Sequence, residues 1–355
     1  MLENLDFYRG KRVFVTGHTG FKGAWLCHML AMAGAKVTGY ALAPPTDPSV
    51  FALTGIEKDI CSVEGDIADL VALKRAFDAA GPEIVLHLAA QPLVRRSYSE
   101  PVLTYQTNVM GTVNLLECVR LSDTVRSVVN ITTDKVYRNN EWCWGYRETD
   151  ELCGFDPYSN SKSCSELVTS SYKSSFFTAP DGSVRLPVST VRAGNVIGGG
   201  DFADNRIIPD CVCAAVSHQD IIVRSPDSVR PFQHVLEPLW IYLSVAAAQW
   251  ESPSLAGCYN VGPAESDCAR IADLTAMFAQ SWGDGLRVTV KPDGGPHEAH
   301  FLRLDCAKLR STFGWAPRWS LQTAVEKSVE WYRTWAQGGD VRAVTQRQIN
   351  EFFGG

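Results

Sequence analysis

The sequence predicts an α/β protein: a doubly wound parallel sheet with a smaller C-terminal lobe interleaved with it. Three observations carry this. Short β-branched runs alternate with helical stretches through the first half of the chain. The connections between successive runs are too long for hairpins, as crossovers between parallel strands must be. The first run is also followed at once by a glycine-rich turn that opens a helix.

Residues 11–16 (KRVFVT) read as a buried strand. Gly17-His18-Thr19-Gly20-Phe21-Lys22-Gly23 follows. Residues 24–33 read as a helix that stops at Gly34, a residue suited to the left-handed cap position. Residues 36–42 form the second strand, and 61–63 a short third one ending at Glu64-Gly65-Asp66. An amphipathic helix over 69–80 is closed by Gly81-Pro82. Then come a fourth strand (84–88), one long helix (102–121) and a fifth strand (126–132). A helix over 158–177 and a sixth strand over 188–192 complete the alternation. Past Gly194 the pattern is irregular. Gly198-Gly199-Gly200 and 225–231 are loop-like, and 237–250 is apolar enough for a helix packed back on the core. Residues 270–282 and 321–335 are further helices, and 291–296 (KPDGGP) is a strong breaker. No linker or internal repeat stands out. The sheet domain is therefore expected over 1–193, with 231–262 packed back on it, and the second lobe mainly over 194–355.

Composition excludes several classes. Of 355 residues, 45% are hydrophobic and 20% charged, which excludes a disordered chain, a collagen and a coiled-coil rod. The net charge of −6 lacks the basic excess of a nucleic-acid footprint. No apolar run is long enough for a membrane span. The start, Met1-Leu2-Glu3-Asn4-Leu5-Asp6, has neither the basic nor the apolar region of a signal peptide. Eleven scattered cysteines, with no CxxC pair, read as reduced core thiols of a cytoplasmic protein. No metal site is expected. His297-Glu298-Ala299-His300 is one residue short of the spacing that puts two imidazoles on one helical face.

The turn after the first strand points to a dinucleotide. Glycines at 17, 20 and 23 let the backbone approach a pyrophosphate, and the helix start offers free N–H groups. This is a Rossmann-type arrangement. The second strand ends Gly39-Tyr40-Ala41-Leu42, with no acid for the ribose and no Arg for a 2′-phosphate. His18 and Lys22 are expected near that end, and NAD is expected over NADP. Asp66 has two readings: a carboxylate that accepts from the adenine amino group, or the N-cap of the following helix.

Tyr158 and Lys162 lie four residues apart, hence on one helix face. A free phenol is only about 0.1% ionised at neutral pH. Two unit charges about 5 Å apart at an effective dielectric of ~20 interact by about 3 kcal/mol, roughly two pKa units. A nearby ammonium and a nicotinamide cation would thus make Tyr158 a usable base. Read alone, the pair could equally be surface helix residues. Thr133 ends the fifth strand, and Asp134-Lys135 follow. They add an acid and a base beside the redox pair, or else form a solvated turn.

These residues resemble a known family. The turn, Asp66-Ile67, Leu88-Ala89-Ala90, Thr107-Asn108-Val109 and Tyr158/Lys162 are similar to the extended short-chain dehydrogenase/reductases over nearly the whole chain. Thr133-Asp134 resembles the Thr-Asp pair of the nucleotide-sugar 4,6-dehydratases within them. Most members follow that pair with Glu, whereas Lys135 stands here. The lysine, the Gly-His-Thr-Gly-Phe-Lys-Gly turn and Arg230-Pro231-Phe232-Gln233-His234-Val235 resemble the branch that acts on CDP-glucose, though Trp is frequent where Phe232 stands. Arg206-Ile207-Ile208-Pro209-Asp210 and His297-Glu298-Ala299 also fit it.

The resemblance implies NAD, held by residues 17–23, Asp66, Ile67, Leu88, Ala89, Ala90 and Thr107. It implies a lyase that converts CDP-glucose to CDP-4-dehydro-6-deoxyglucose and water by internal hydride transfer from C4 to C6. Thr133 and Tyr158 would serve the 4-hydroxyl, and Asp134 the departing 6-hydroxyl. Lys135 would be the C5 base or an electrostatic partner of the 4-oxyanion. Asn195, Arg206, Arg230 and Glu298 are implied as substrate ligands, with Arg192 a further candidate for the diphosphate. A homodimer is implied through the helices that begin near Val102 and Tyr158. Two rivals remain. A 4-epimerase of the same superfamily keeps Tyr and Lys but needs no Asp-Lys pair. A dinucleotide-binding regulator needs no phenolate.

Overall fold

The computed structural model describes residues 5–264, 267–291 and 302–354. β1 (Arg12–Thr16) leads through α1 (Phe21–Met32) to β2 (Lys36–Ala41), and α2 (Val50–Thr54) precedes β3 (Cys61–Glu64). α3 (Leu70–Ala80) leads to β4 (Ile84–His87). α4 (Val94–Ser99), α5 (Pro101–Tyr105), a π-helical turn (Gln106–Met110) and α6 (Gly111–Arg120) lead to β5 (Ser127–Thr133). α7 (Pro157–Phe176) then leads to β6 (Val188–Ala193). The second half carries β7 (Val196–Ile197), α8 (Ile207–Val216), β8 (Ile221–Val223), β9 (Val229–Pro231), β10 (Gln233–His234), α9 (Leu236–Glu251) and β11 (Cys258–Val261). It ends with β12 (Cys268–Arg270), α10 (Ile271–Trp282), β13 (Val288–Val290), α11 (Ala307–Phe313), α12 (Leu321–Ala336) and α13 (Val341–Phe352).

Seven strands form one parallel sheet in the order β11-β6-β5-β4-β1-β2-β3. The order reverses between β1 and β4, so a crevice opens at the carboxyl ends of those strands. Side chains alternate between the two faces. Val13 and Val15 join the larger core with Trp25, Leu26 and much of α9. Phe14 faces the other way, against Tyr40, Leu73, Phe77 and Leu115. The doubly wound α/β fold expected from the sequence is the one observed.

Four elements in particular depart from the sequence expectation. The long helix over 102–121 is broken in character by the π-helical turn. There Gly111 meets Ile67 so closely that a Cβ would lie 2.6 Å from its Cγ2. The Asn108 side chain, turned inward, bonds the Gln91 backbone and Ser161 Oγ. β11 was not anticipated: it lies past Gly194, where no regular alternation of strand and helix frames so short a run. α8 and α13 were also missed: Pro209 interrupts one, and the other is mostly polar in sequence.

All eleven cysteines are free thiols. Among the described residues, no helix is long and apolar enough to cross a membrane, and no His, Cys, Asp and Glu cluster is placed to hold a metal.

Candidate active site

The turn between β1 and α1 is a cradle. Gly17 has φ +76°, and its N–H donates to the Tyr40 carbonyl at 2.9 Å. A Cβ at Gly17 would sit 2.7 Å from the Ala89 nitrogen, and one at Gly23 only 2.1 Å from the Gly17 oxygen. The loop after β4 approaches from the far side, where the Leu88 and Ala89 nitrogens each donate to Thr16 Oγ1 at 3.2 Å. No side chain caps the start of α1, so its first N–H groups are offered to an anion. The close backbone approach and the uncapped helix start fit a dinucleotide pyrophosphate.

Side chains of the turn diverge. His18 is buried, with its ring pressed against Gly39 and its Nε2 2.7 Å from Ser62 Oγ. Burial pushes its pKa down to about 4, so it is neutral at physiological pH. Thr19 Oγ1 donates to the Leu42 carbonyl at 2.9 Å. Lys22 does not share the end of β2 with His18, as expected from the sequence. It is the second residue of α1, and its charged neighbours are Arg206, Lys162, Asp134 and Asp201. Burial and those cations lower its pKa to about 8. Phe21 is half-buried at the helix start. Asp66 is not the helix N-cap, since Asp69 caps α3 by accepting from Ala72 N. Asp66 instead accepts from Ala68 N at 2.9 Å, while Ile67 packs against Gly111. Ala90 follows in the loop after β4, and Thr107 lies in the π-helical turn.

The second cluster forms where β5 meets α7. Asp156 caps α7 and Pro157 opens it, which sets Tyr158 in the first turn and Lys162 one turn on. Both are buried. Lys162 Nζ donates to the Ile131 carbonyl of β5 at 3.1 Å. Thr133 Oγ1 donates to Asp134 Oδ1 at 3.0 Å and also reaches Tyr158. Asp134 is 1% exposed, and its Oδ2 has no hydrogen-bond partner. A Cβ on Gly194 would stand 3.2 Å from that oxygen. Lys135 follows, half-buried, with its N–H 3.4 Å from Thr133 Oγ1.

Burial dominates the electrostatics. It raises the Asp134 pKa, against the pull of Lys135, Thr133, Arg230 and Lys22, and so favours the protonated carboxyl. Burial also pushes the Tyr158 phenol up to about 12, with Thr133 and Arg206 opposing. Lys162 is not among the main charge partners of this phenol. Lys162 is itself lowered to about 8 by burial and spends its hydrogen bond on Ile131.

The other expected ligands divide. Arg206 precedes α8 and pairs with Asp201 at 2.7 Å, while its charge reaches Tyr158. Arg230, on β9, is buried and acts on Asp134. Asn195 lies between β6 and β7, and its carbonyl accepts from Gln233 N at 3.1 Å. Arg192 is not available to a phosphate: it pairs with Glu166 at 2.8 Å, both side chains 2% exposed. Glu298 and its neighbours 297–300 lie outside the described residues. Tyr242, buried in α9 with its hydroxyl unpartnered and in electrostatic reach of Tyr158, was not foreseen. Nothing in its local sequence distinguishes it from a core aromatic.

A doubly wound sheet, a phosphate cradle at its switch point and a Tyr158/Lys162 pair at β5 define the class: an extended short-chain dehydrogenase/reductase. Within that class, the family model described as GDP-mannose 4,6 dehydratase matches residues 14–328, and the chain belongs to that family. It is therefore an enzyme of the nucleotide-sugar dehydratase group. It is 46% identical to the CDP-glucose 4,6-dehydratase of Salmonella typhimurium, over 98% of each chain. It is 28% identical to a dTDP-glucose 4,6-dehydratase of Xanthomonas campestris, over 91% of this chain and 94% of that one. Among solved structures, dTDP-glucose 4,6-dehydratase of Bacillus anthracis in complex with NAD shares the fold. Its TM-score is 0.76 at 20% identity, covering 93% of this chain and 99% of that one. UDP-glucose 4-epimerase of Thermus thermophilus in complex with NAD gives 0.77 at 25% identity, covering 91% and 99%.

Proposed function

We propose that the protein is an NAD-dependent CDP-glucose 4,6-dehydratase that forms CDP-4-dehydro-6-deoxyglucose and water. The observation that carries the reading is Asp134. A buried carboxyl, held by Thr133 on one oxygen and unpartnered on the other, is an acid poised for a leaving group. An epimerase has no use for such an acid. The 46% identity with the Salmonella enzyme supports cytosine as the base.

The roles are those the family resemblance implies, and the placement of Thr133, Asp134 and Tyr158 supports them. NAD would lie along residues 17–23, Asp66, Ile67, 88–90 and Thr107, and when bound it supplies the acceptor and donor of hydride. Tyr158 Oη takes the proton of the sugar 4-hydroxyl, while Thr133 Oγ1 orients that hydroxyl. The phenol that burial holds protonated becomes a base only beside a cation, so proton transfer is tied to a loaded site. The resulting 4-ketone acidifies the C5 hydrogen, and Lys135, in its neutral amine form, takes that proton and returns it to C5 once water has left and C6 has received hydride. Asp134 delivers its proton to O6 as water leaves. Arg206 and Arg230 hold the diphosphate, with Asn195 and Glu298 as further substrate ligands. In this reading residues 1–193, with 231–262, bind the dinucleotide, and 194–355 mainly the nucleotide sugar.

Assembly and location belong to the same proposal. Val102, Met110 and Leu167 stand exposed on α5, the π-helical turn and α7, which supports a homodimer through these helices. Light scattering of the purified protein tests it: a monomer mass removes the dimer. Eleven free thiols support a reducing cytoplasm.

The test of function is incubation with NAD⁺ and CDP-glucose, with UDP-, GDP- and dTDP-glucose in parallel, read by mass spectrometry. Loss of one water from CDP-glucose alone is expected. Loss from another nucleotide sugar would discard the cytidine assignment, and an epimer of unchanged mass would discard the dehydratase. For Lys135, a Lys135→Ala protein that still exchanges the C5 hydrogen of a 4-keto substrate with solvent deuterium would remove it as the base.

A further inference from the structure

We propose that Glu64, with Glu57 beside it, sets the choice of NAD over NADP from the strand next to the usual one. The proposal rests on reading the 17–23 turn as the cofactor site. β2 ends without a carboxylate for the adenosine ribose, so the discriminating charge must come from elsewhere or be absent. The register supplies it. Gly39 pairs with Ser62 and Ala41 with Glu64 across β2 and β3. Residues two apart on a strand share a face. Glu64 therefore stands on the face of Ser62, whose hydroxyl is already engaged by His18 of the phosphate turn.

A cleft opens at this point, beyond the end of β2. His18, Thr19, Leu42, Glu57, Ser62 and Glu64 line it. Glu57 comes from the 3-10 turn Ile56–Asp59, across the cleft from β3. Among the described residues neither carboxylate has a hydrogen-bond or ion-pair partner in the chain, and no Lys or Arg lines the cleft. Arg342, which reaches the same 3-10 turn, is committed to Asp59 at 2.5 Å and to the Thr54 and Gly55 carbonyls. His18 is held neutral by its burial.

The cleft thus offers two anionic acceptors and no fixed cation. Ribose hydroxyls are donors and suit such acceptors. A 2′-phosphate carries close to two negative charges and finds only repulsion there. The selectivity would arise as rejection of NADP as much as grip on NAD.

The experiment is calorimetric titration of the full-length protein with NAD⁺ and with NADP⁺, for the parent, Glu64→Gln, Glu57→Gln and the double variant. Both residues are exposed, so folding should be unaffected, and circular dichroism checks it. The parent is expected to bind NAD⁺ and to reject NADP⁺. Glu64→Gln should weaken NAD⁺ about tenfold, the loss of a hydrogen bond to a charged acceptor, and the double variant should bind NADP⁺ at least about tenfold more tightly than the parent. Variants that leave the ratio of the two affinities unchanged overturn the inference while the cofactor reading stands. A parent that binds NADP⁺ as well as NAD⁺ does the same. A parent that binds neither overturns both, since the turn would then not be a dinucleotide site.

Discussion

At the scale of single residues, burial rather than charge pairing sets the chemistry. Asp134 is the sharpest case. Replacing it with Asn keeps the shape and the bond from Thr133 but removes the proton donor. Oxidation at C4 should persist while loss of water slows by about 10²–10⁴-fold. Borodeuteride trapping and mass spectrometry should then find a 4-keto sugar that still carries its 6-hydroxyl. Glu237 gives a different test. It is wholly buried in the first turn of α9; one oxygen accepts from the Arg318 and Trp319 nitrogens, and the other has no partner. Burial raises its pKa from 4.5 to about 7. Because the folded value is raised, the stabilisation is complete below the unfolded pKa and is lost as pH rises through about 7. The loss is on the order of 3 kcal/mol. Denaturant titrations of Glu237→Gln should lack the decline in stability that the parent shows between about pH 5 and 8.

The Tyr158/Lys162 spacing, the Thr-Asp-Lys run and the glycine turn were legible because each is local: a few residues in a row, on one strand end or one helix face. What was not legible comes from far apart in the chain. Nothing near Arg192 announces Glu166, yet the two form a buried pair that also engages Thr132, Thr190 and Tyr137. A basic residue beside a site was read as a phosphate ligand when its partner sat on another element. Lys22 misled in the opposite sense, since its direction is set by the first turn of α1 and not by its distance from His18 in sequence.

At the scale of elements, that buried pair is one link between α7 and the adjoining strands β5 and β6. Arg192→Leu strands the Glu166 carboxylate in the core. A loss of about 3–5 kcal/mol is expected in urea unfolding. Changing both residues to apolar ones should recover much of it, because no uncompensated charge is left. The sheet itself was legible through six of its seven strands, as β-branched runs long enough to show. β11 was not, since it lies outside the regular strand–helix alternation and is defined by its pairing with β6. The π-helical turn was hidden for a similar reason. It leads into a contact between Gly111 and Ile67, residues far apart in the chain.

At the scale of the whole molecule, the three glycines at 198–200 sit where α1, α2 and α12 meet. Trp331 of α12 packs so closely that a Cβ on Gly199 would lie 2.0 Å from its Cγ, and Trp25 of α1 donates to the Gly199 carbonyl at 2.9 Å. Gly199→Ala should cost about 1–3 kcal/mol or more by overpacking this junction. Thermal unfolding would show it as a lowered midpoint, with activity at low temperature retained. From sequence these glycines read only as a loop, because their demand comes from a tryptophan well over a hundred residues away.

The sheet's outer strand β11 and the helix α13, which ties down the loop after α2 through Arg342, both come late in the chain. A ribosome therefore releases the first six strands with the β6 edge of the sheet bare. At ordinary rates of synthesis this interval lasts on the order of ten seconds. During it the nascent chain presents an open β-edge to every neighbour on the polysome. Its yield in a cell should therefore depend on chaperone supply more than its final stability would suggest.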